Sequence, residues 1–238
     1  MKREVRINFG VVVLLVLAIM TVSLVAGDPD PSPATLTEGL SGRGSDPSAT
    51  QQTAVAGNVT QLDIDQTRLT DVWQGFYGNV TGEIILEDGS SNRFYDWSYA
   101  STEGEVYATR FQIADWTSIN CTNSTQWEAE ESTLNIVSTA VDGINETYYD
   151  VDHPSFSVGT KSFAVDVCQS TRPYNSSGTA GDFYNVLLSV NDTTVVYTSV
   201  LASGADGFNS NDWDFEILVP TDRATGTASY YFYVELGA

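Results

Sequence analysis

Eight short runs rich in β-branched and aromatic residues, each bounded by Gly, Asn, Asp or Ser, leave residues 83–236 little choice but strands. EIIL at 83–86 and RFYDWSY at 93–99 flank a Gly-containing turn and predict a hairpin. EVYATRFQI at 105–113 alternates with the period of two expected of a half-buried strand. Further strands are predicted at 162–168, 183–190, 194–201, 214–219 and 229–236. This many strands with so few helices between them predict an all-β domain, an antiparallel β-sandwich of Ig-like or jelly-roll-like type.

Two segments break the pattern and predict one or two short helices at the edge of the sheets. Residues 124–128 (STQWE) offer a capping box, with Thr125 as cap and Glu128 three residues on. Trp127, Leu134, Val137, Val141 and Ile144 then follow a period near 3.6, and Gly143 would end that helix. A weaker helical pattern covers residues 65–73. Trp73, Phe76, Tyr77, Phe94, Tyr95, Trp97, Tyr99 and 230–233 supply many aromatics. With few Leu and Met available, most of them are expected in the core, although stacked aromatics also bind sugars or partners.

The chain's start predicts where this domain works. Lys2, Arg3 and Arg6 precede an apolar run at 9–26, the arrangement that sends the downstream chain across a membrane. The run is long for a signal peptide and slightly short for a spanning helix, so cleavage after Gly27 and retention as an N-terminal anchor both remain open. Pilin-type processing after Gly10 is disfavoured, because residues 11–20 lack the Glu usual near the start of a pilin helix. Residues 28–56 are dominated by Pro, Ser, Thr, Gly and Asp without apolar periodicity, which predicts a flexible spacer. The organisation expected is a targeting or anchoring segment at 1–27, a linker at 28–56 and an extracellular domain at 57–238.

Charge narrows the partners. A net charge of -21, from 31 acidic and 10 basic residues, excludes nucleic acid and anionic lipid as partners of the folded part. Only Lys2 and Lys161 are lysines, and Asp outnumbers Glu, a bias suited to staying hydrated in concentrated salt.

Cys121 and Cys168 are the only cysteines, and in an exported chain they predict one disulfide. Glycosylation triplets begin at Asn58, Asn79, Asn120, Asn123, Asn145, Asn175 and Asn191. Chance would give about three, so N-glycosylation is expected at some of them. Asn120 and Asn123 flank Cys121, and early disulfide formation would prevent both from being occupied.

Catalytic motifs are missing. There is no G-x-S-x-G, no phosphate loop and no pair of histidines. His153, the only histidine, precedes Pro154 and reads as an exposed loop residue; with two thiols it makes no convincing metal set. Paired carboxylates (Asp63/Asp65, Glu83/Glu87, Asp212/Asp214/Glu216) leave a glycosidase as the catalytic class that composition does not exclude. The densest polar cluster is Asp206, Asn209, Asn211, Asp212 and Asp214. It could offer oxygens to Ca²⁺ but lacks the spacing of an EF-hand, and it reads more readily as an acidic hairpin loop. No other cofactor is expected.

At residues 72–97, 104–109 and 214–237 the chain resembles a group of exported archaeal cell-surface proteins of unassigned role. That resemblance implies a cell-envelope setting and brings no catalytic residue with it. The function expected is a non-enzymatic cell-surface glycoprotein with a structural, adhesion or assembly role, whose partners are other envelope proteins or glycans. The alternatives are a subunit of an extracellular filament, pilin-like or strand-exchanging, and a carbohydrate- or calcium-binding module.

Overall fold

A computed structural model describes residues 30–99 and 104–236. The targeting segment expected at 1–27 lies outside them. No helix among the described residues is long and apolar enough to cross a membrane.

In chain order the first half runs β1 (Ser32–Pro33), β2 (Trp73–Gly78), β3 (Gly82–Glu87), β4 (Arg93–Tyr99), β5 (Gly104–Thr109) and β6 (Asn120–Cys121). Helices α1 (Ser124–Thr133) and α2 (Ile144–Thr147) follow, then β7 (Phe156–Val158), β8 (Lys161–Phe163) and β9 (Ser170–Thr171). The chain ends on β10 (Asn185–Val190), β11 (Thr194–Val200), β12 (Ala205–Asp206), β13 (Asp212–Trp213), β14 (Phe215–Pro220) and β15 (Tyr231–Leu236). The domain is all-β in class, and every strand pair is antiparallel.

The main sheet has the order β1-β15-β5-β11-β10-β6, with β9 beside β6 on the same edge of β10. Its side chains alternate between two faces, and both faces are covered. Tyr107, Val186, Leu188, Val190, Val196 and Tyr233 point one way, onto Trp116, Ile119, Phe163 and Cys168. Ala108, Leu187, Val195 and Tyr197 point the other way, onto Val72, Ile217 and Val219 around the β14–β2 ribbon and onto Leu134, Ile136, Ile144 and Tyr148. Burial on both faces explains why β10 and β11 read as nearly continuous apolar runs, a pattern more usual in parallel sheets.

The β14–β2 ribbon is tied to the main sheet by side chains of β10 and β11, Asn185 foremost. Asn185, fully buried on β10, donates Nδ2 to the Glu216 carbonyl at 2.7 Å and accepts from the Leu218 N–H at 2.8 Å. Its amide thus takes the place of a peptide group across the layer gap. Asn185→Ala strands the Leu218 N–H away from solvent and should cost about 2–3 kcal/mol in denaturant unfolding. Ser199 Oγ still reaches the Glu216 carbonyl at 2.9 Å, which is why the loss should fall short of unfolding the domain. A loss within experimental error would show that the ribbon is held by its apolar contacts alone.

Several sequence expectations are corrected. Residues 65–71 form no helix, and strand β2 begins at Trp73. Arg68 pairs with Asp71 there, and Thr70 Oγ1 donates to Asp142 at 2.7 Å and accepts from the Val72 N–H at 3.1 Å, which leads the chain into β2 instead of closing a turn of helix. The strand expected at 105–113 ends at Thr109, and the one expected at 162–168 ends at Phe163. Asp166 has φ 58° beyond it, and Val165 and Val167 are exposed. The helix expected to run to Gly143 stops at Thr133, leaving Val137 and Val141 exposed.

The helix cap is Asn123 rather than Thr125. Asn123 Oδ1 accepts from the Thr125 N–H at 3.0 Å, and the Gln126 side chain returns the bond to the Asn123 N–H. Gly143 does not terminate this helix; it caps the start of α2. Having no side chain to cap with, Gly143 leaves that task to Glu131, whose Oε1 accepts from the Ile144 N–H at 2.7 Å. A Cβ on Gly143 would lie 2.7 Å from that oxygen, so any side chain there would displace the Glu131 cap.

Before the body of the domain, residues 34–71 carry no helix or strand, and nearly all are exposed. The chain nevertheless touches the main sheet first at β1, where Ser32 and Pro33 pair with Val234 and Tyr233. The Ala34 N–H donates to the Phe232 carbonyl at 2.9 Å. Proline, which cannot donate to a ladder, is tolerated at this edge position.

Candidate functional site

The acidic loop expected to suit Ca²⁺ folds as a braced turn. Asp206 and Asp212 face each other across β12 and β13. Asp206 accepts from Ser176 Oγ at 2.8 Å, and Asn209 Oδ1 accepts from Trp213 Nε1 at 3.0 Å and from the Asn211 N–H at 3.3 Å. Asp214 is buried and accepts from the Val80 N–H at 3.0 Å and the Gly204 N–H at 3.3 Å. Tyr77 packs between Phe208 and Trp213, with ring centroids 4.9 and 5.0 Å away. These hydrogen bonds turn Asp206, Asn209 and Asp214 toward protein donors, and Asp212 stands exposed at the rim. Among the described residues no group of three or more His, Cys, Asp or Glu is placed to hold a metal ion.

Of the paired carboxylates, Asp63 and Asp65 lie exposed on the extended stretch, and Glu83 is tied to Arg93 on β4. Glu216 is buried, and its Oε1 accepts from the Phe208 N–H at 2.9 Å. Burial pushes its carboxyl above the ordinary value; the Phe208 bond works against that shift and the nearby Asp206 charge adds to it.

A constellation that the sequence did not reveal lies where β5 meets β15. Glu105 and Glu235 are direct cross-strand partners and are 4% and 3% exposed. Between them Tyr107 donates to Glu235 Oε2 at 2.8 Å and lies 3.4 Å from Glu105 Oε2. The other oxygen of Glu235 accepts from the Gly159 N–H at 2.8 Å. Burial, followed by the charges of Glu105 and Glu235, drives the Tyr107 hydroxyl well above its usual range. A glycosidase pair must flank a bond that a dissolved sugar can reach. Glu105 and Glu235 are sealed within the domain, and their register could have been found only from the pairing of two strands far apart in sequence.

His153 is buried, not exposed, at 1%. Its Nε2 accepts from the Val167 and Cys168 N–H groups at 3.0 and 2.9 Å, which leaves the proton on Nδ1 to be donated to the Pro154 carbonyl at 2.7 Å. The histidine therefore satisfies two backbone donors, that of Cys168 buried, beside the disulfide Cys121–Cys168, which is formed as expected.

The seven glycosylation triplets all reach the surface. Asn58, Asn79, Asn120, Asn123 and Asn191 are exposed, and Asn145 and Asn175 are half-buried. A sugar would join Nδ2, leaving Oδ1 free to accept. Asn123 already uses Oδ1 as a helix cap, Asn175 uses it to accept from the Ser177 N–H, and Asn191 to accept from Ser118. At Asn120 the Nδ2 group donates to the Ser118 carbonyl at 3.1 Å, so a sugar there would have to displace that bond.

No family model, curated protein or solved structure matches the chain.

Proposed function

We propose that this chain is a non-enzymatic, exported cell-surface glycoprotein with a structural, adhesion or assembly role in the cell envelope. The observation that carries the reading is the disulfide joining Cys121 to Cys168, because such bonds persist in oxidising compartments and are rare in the cytosol. The basic start and apolar run supply the route out. The exposed stretch at 34–71 suits a spacer that holds a domain off a membrane. In this reading the main sheet and the β14–β2 ribbon form a lopsided β-sandwich, the display body, with glycans on Asn123, Asn175 and Asn191. The archaeal cell-envelope setting implied by the resemblance fits the acidic, lysine-poor surface.

Intact mass of the protein isolated from its native source tests the proposal. The expected mass departs from that of the 25.8 kDa chain by two hydrogens for the disulfide plus a series of sugar increments, minus residues 1–27 if they are removed. A reduced, sugar-free mass from a cytoplasmic fraction would overturn it.

A further inference from the structure

The β3–β4 hairpin is built with one apolar face, and its own domain does not cover it. Opposed pairs in the ladder share a face, so Ile84 with Trp97 and Leu86 with Tyr95 form one side. Tyr95 and Trp97 are in ring contact at 4.9 Å. Ile84, Leu86, Tyr95 and Trp97 remain 50%, 49%, 57% and 50% exposed. Phe94, the extra residue at a bulge opposite Leu86 and Glu87, is 82% exposed. The opposite side is mostly polar around Ile85, with Arg93 clasping Glu83 at 2.7 and 3.1 Å and reaching Asp96 at 3.4 Å. Asp88 closes the turn by accepting from the Ser90 and Asn92 N–H groups. The hairpin is thus locally well specified while β3 and β4 pack chiefly on each other among the described elements.

A two-stranded hairpin alone is marginal in water and needs further strands or a packing surface. We propose that the apolar face of β3–β4 is a homotypic docking surface, packed face to face on the same hairpin of a second copy of this chain. Charge favours that occupant. Among the described side chains the face carries no carboxylate, lysine or arginine, in a chain of net charge -21, and the nearby carboxylates Glu83 and Asp96 are held by Arg93 on the far side. Two copies can therefore meet here with the least mutual repulsion. Area favours it too. Four half-exposed side chains and Phe94 present roughly 600 Å² per copy. A pair would then bury on the order of 1,200 Å² in total, the lower end of specific interfaces. Interfaces at that end of the range include weak and transient ones, which suits copies concentrated on one surface. The inference deepens the assembly role proposed above and rests on it.

The test is sedimentation of full-length protein in density-matched detergent across roughly two decades of concentration, at low and high salt. The expected result is a monomer–dimer shift that strengthens with salt, as repulsion between the acidic bodies is screened. Ile84→Ser with Trp97→Ser should weaken it at least about 100-fold while leaving the thermal unfolding midpoint unchanged. The apolar start of the chain is present in both proteins, so equal association of variant and wild type would overturn the proposal, as would a wild type that stays monomeric in high salt. Hydrogen exchange at residues 82–99 separates a lipid occupant: protection complete in single-copy lipid nanodiscs and absent in micelles at every concentration would also overturn it. The mass measurement on the native protein fails or succeeds independently of these results.

Discussion

Cys121→Ser together with Cys168→Ser is expected to lower the unfolding free energy by about 4 kcal/mol. The bond spans 47 residues, and in the chain-entropy description a loop of that length is what gives the magnitude. Position adds to length. Cys121 sits on β6, a strand of only two residues at the edge of the main sheet opposite Leu188, while Cys168 is buried in the apolar cluster on one face. Between them lie α1, α2, β7 and β8, so the bridge closes a segment that covers part of that face through Phe156, Val158 and Phe163 and carries the helices of the other. Loss should appear as a fall of roughly 10 °C in the midpoint followed by near-UV circular dichroism. Reduced wild type should reproduce the double variant. A difference under about 1 kcal/mol would mean that the unfolded chain retains the contacts the bond enforces.

How much of the fold was legible depends on whether the deciding partner is near in sequence. The β3–β4 hairpin and the separate strands β10 and β11 were predicted, the latter without their pairing; in both hairpins the partners are adjacent and the turns carry the right residues. Asn191 and Asp192, both at φ 54°, tip the second of them and tolerate a left-handed backbone that most residues resist. The extent of 105–113 was not readable, since what ends β5 at Thr109 is Arg110 turning to meet a helix twenty residues on. The disulfide followed from cysteine arithmetic, whereas the buried role of His153 followed from nothing local: the donors it satisfies belong to Val167 and Cys168.

The candidate sites show the same division. The Asp and Asn residues of 206–214 carry as strong a signal for turn formation as for ion binding, since in both cases a side-chain oxygen is aimed at a nearby positive partner. Here those partners include N–H groups from as far away as Val80 on the other side of the ribbon. Conversely, the aromatics of β4 were expected inside because composition required aromatics to fill a core. The core is filled instead by Tyr107, Trp116, Tyr148, Tyr197 and Phe183, which frees Phe94, Tyr95 and Trp97 for the surface. Composition fixes how many rings must be buried and is silent on which ones.

Helix α1 carries the second large expectation, because it docks with polar side chains. Its buried residues are Gln126, Glu130 and Glu131, which explains why an apolar period misplaced its end. Glu130 receives Arg110 Nε and one terminal nitrogen, both at 2.6 Å, with the two side chains 17% and 7% exposed for Arg110 and Glu130 respectively. The bidentate bond, with the Glu130 charge behind it, holds the guanidinium above its ordinary value, and that same charge adds to burial in pushing the Tyr197 and Tyr230 hydroxyls up. Glu130→Ala would leave the guanidinium facing buried tyrosines without a counter-charge, an expected loss of about 3–5 kcal/mol. Arg110→Met with Glu130→Leu removes both charges at similar volume and should recover most of that loss. A double-mutant cycle closed with the single variants Arg110→Met and Glu130→Leu should then return a coupling of at least about 2 kcal/mol in denaturant unfolding. If Glu130→Ala costs under about 1 kcal/mol, water screens the pair and α1 is held by its neighbours instead. The large value is expected because the helix has few apolar anchors: within it only half-buried Trp127 reaches the apolar cluster, while Leu134 and Ile136 lie beyond its last turn.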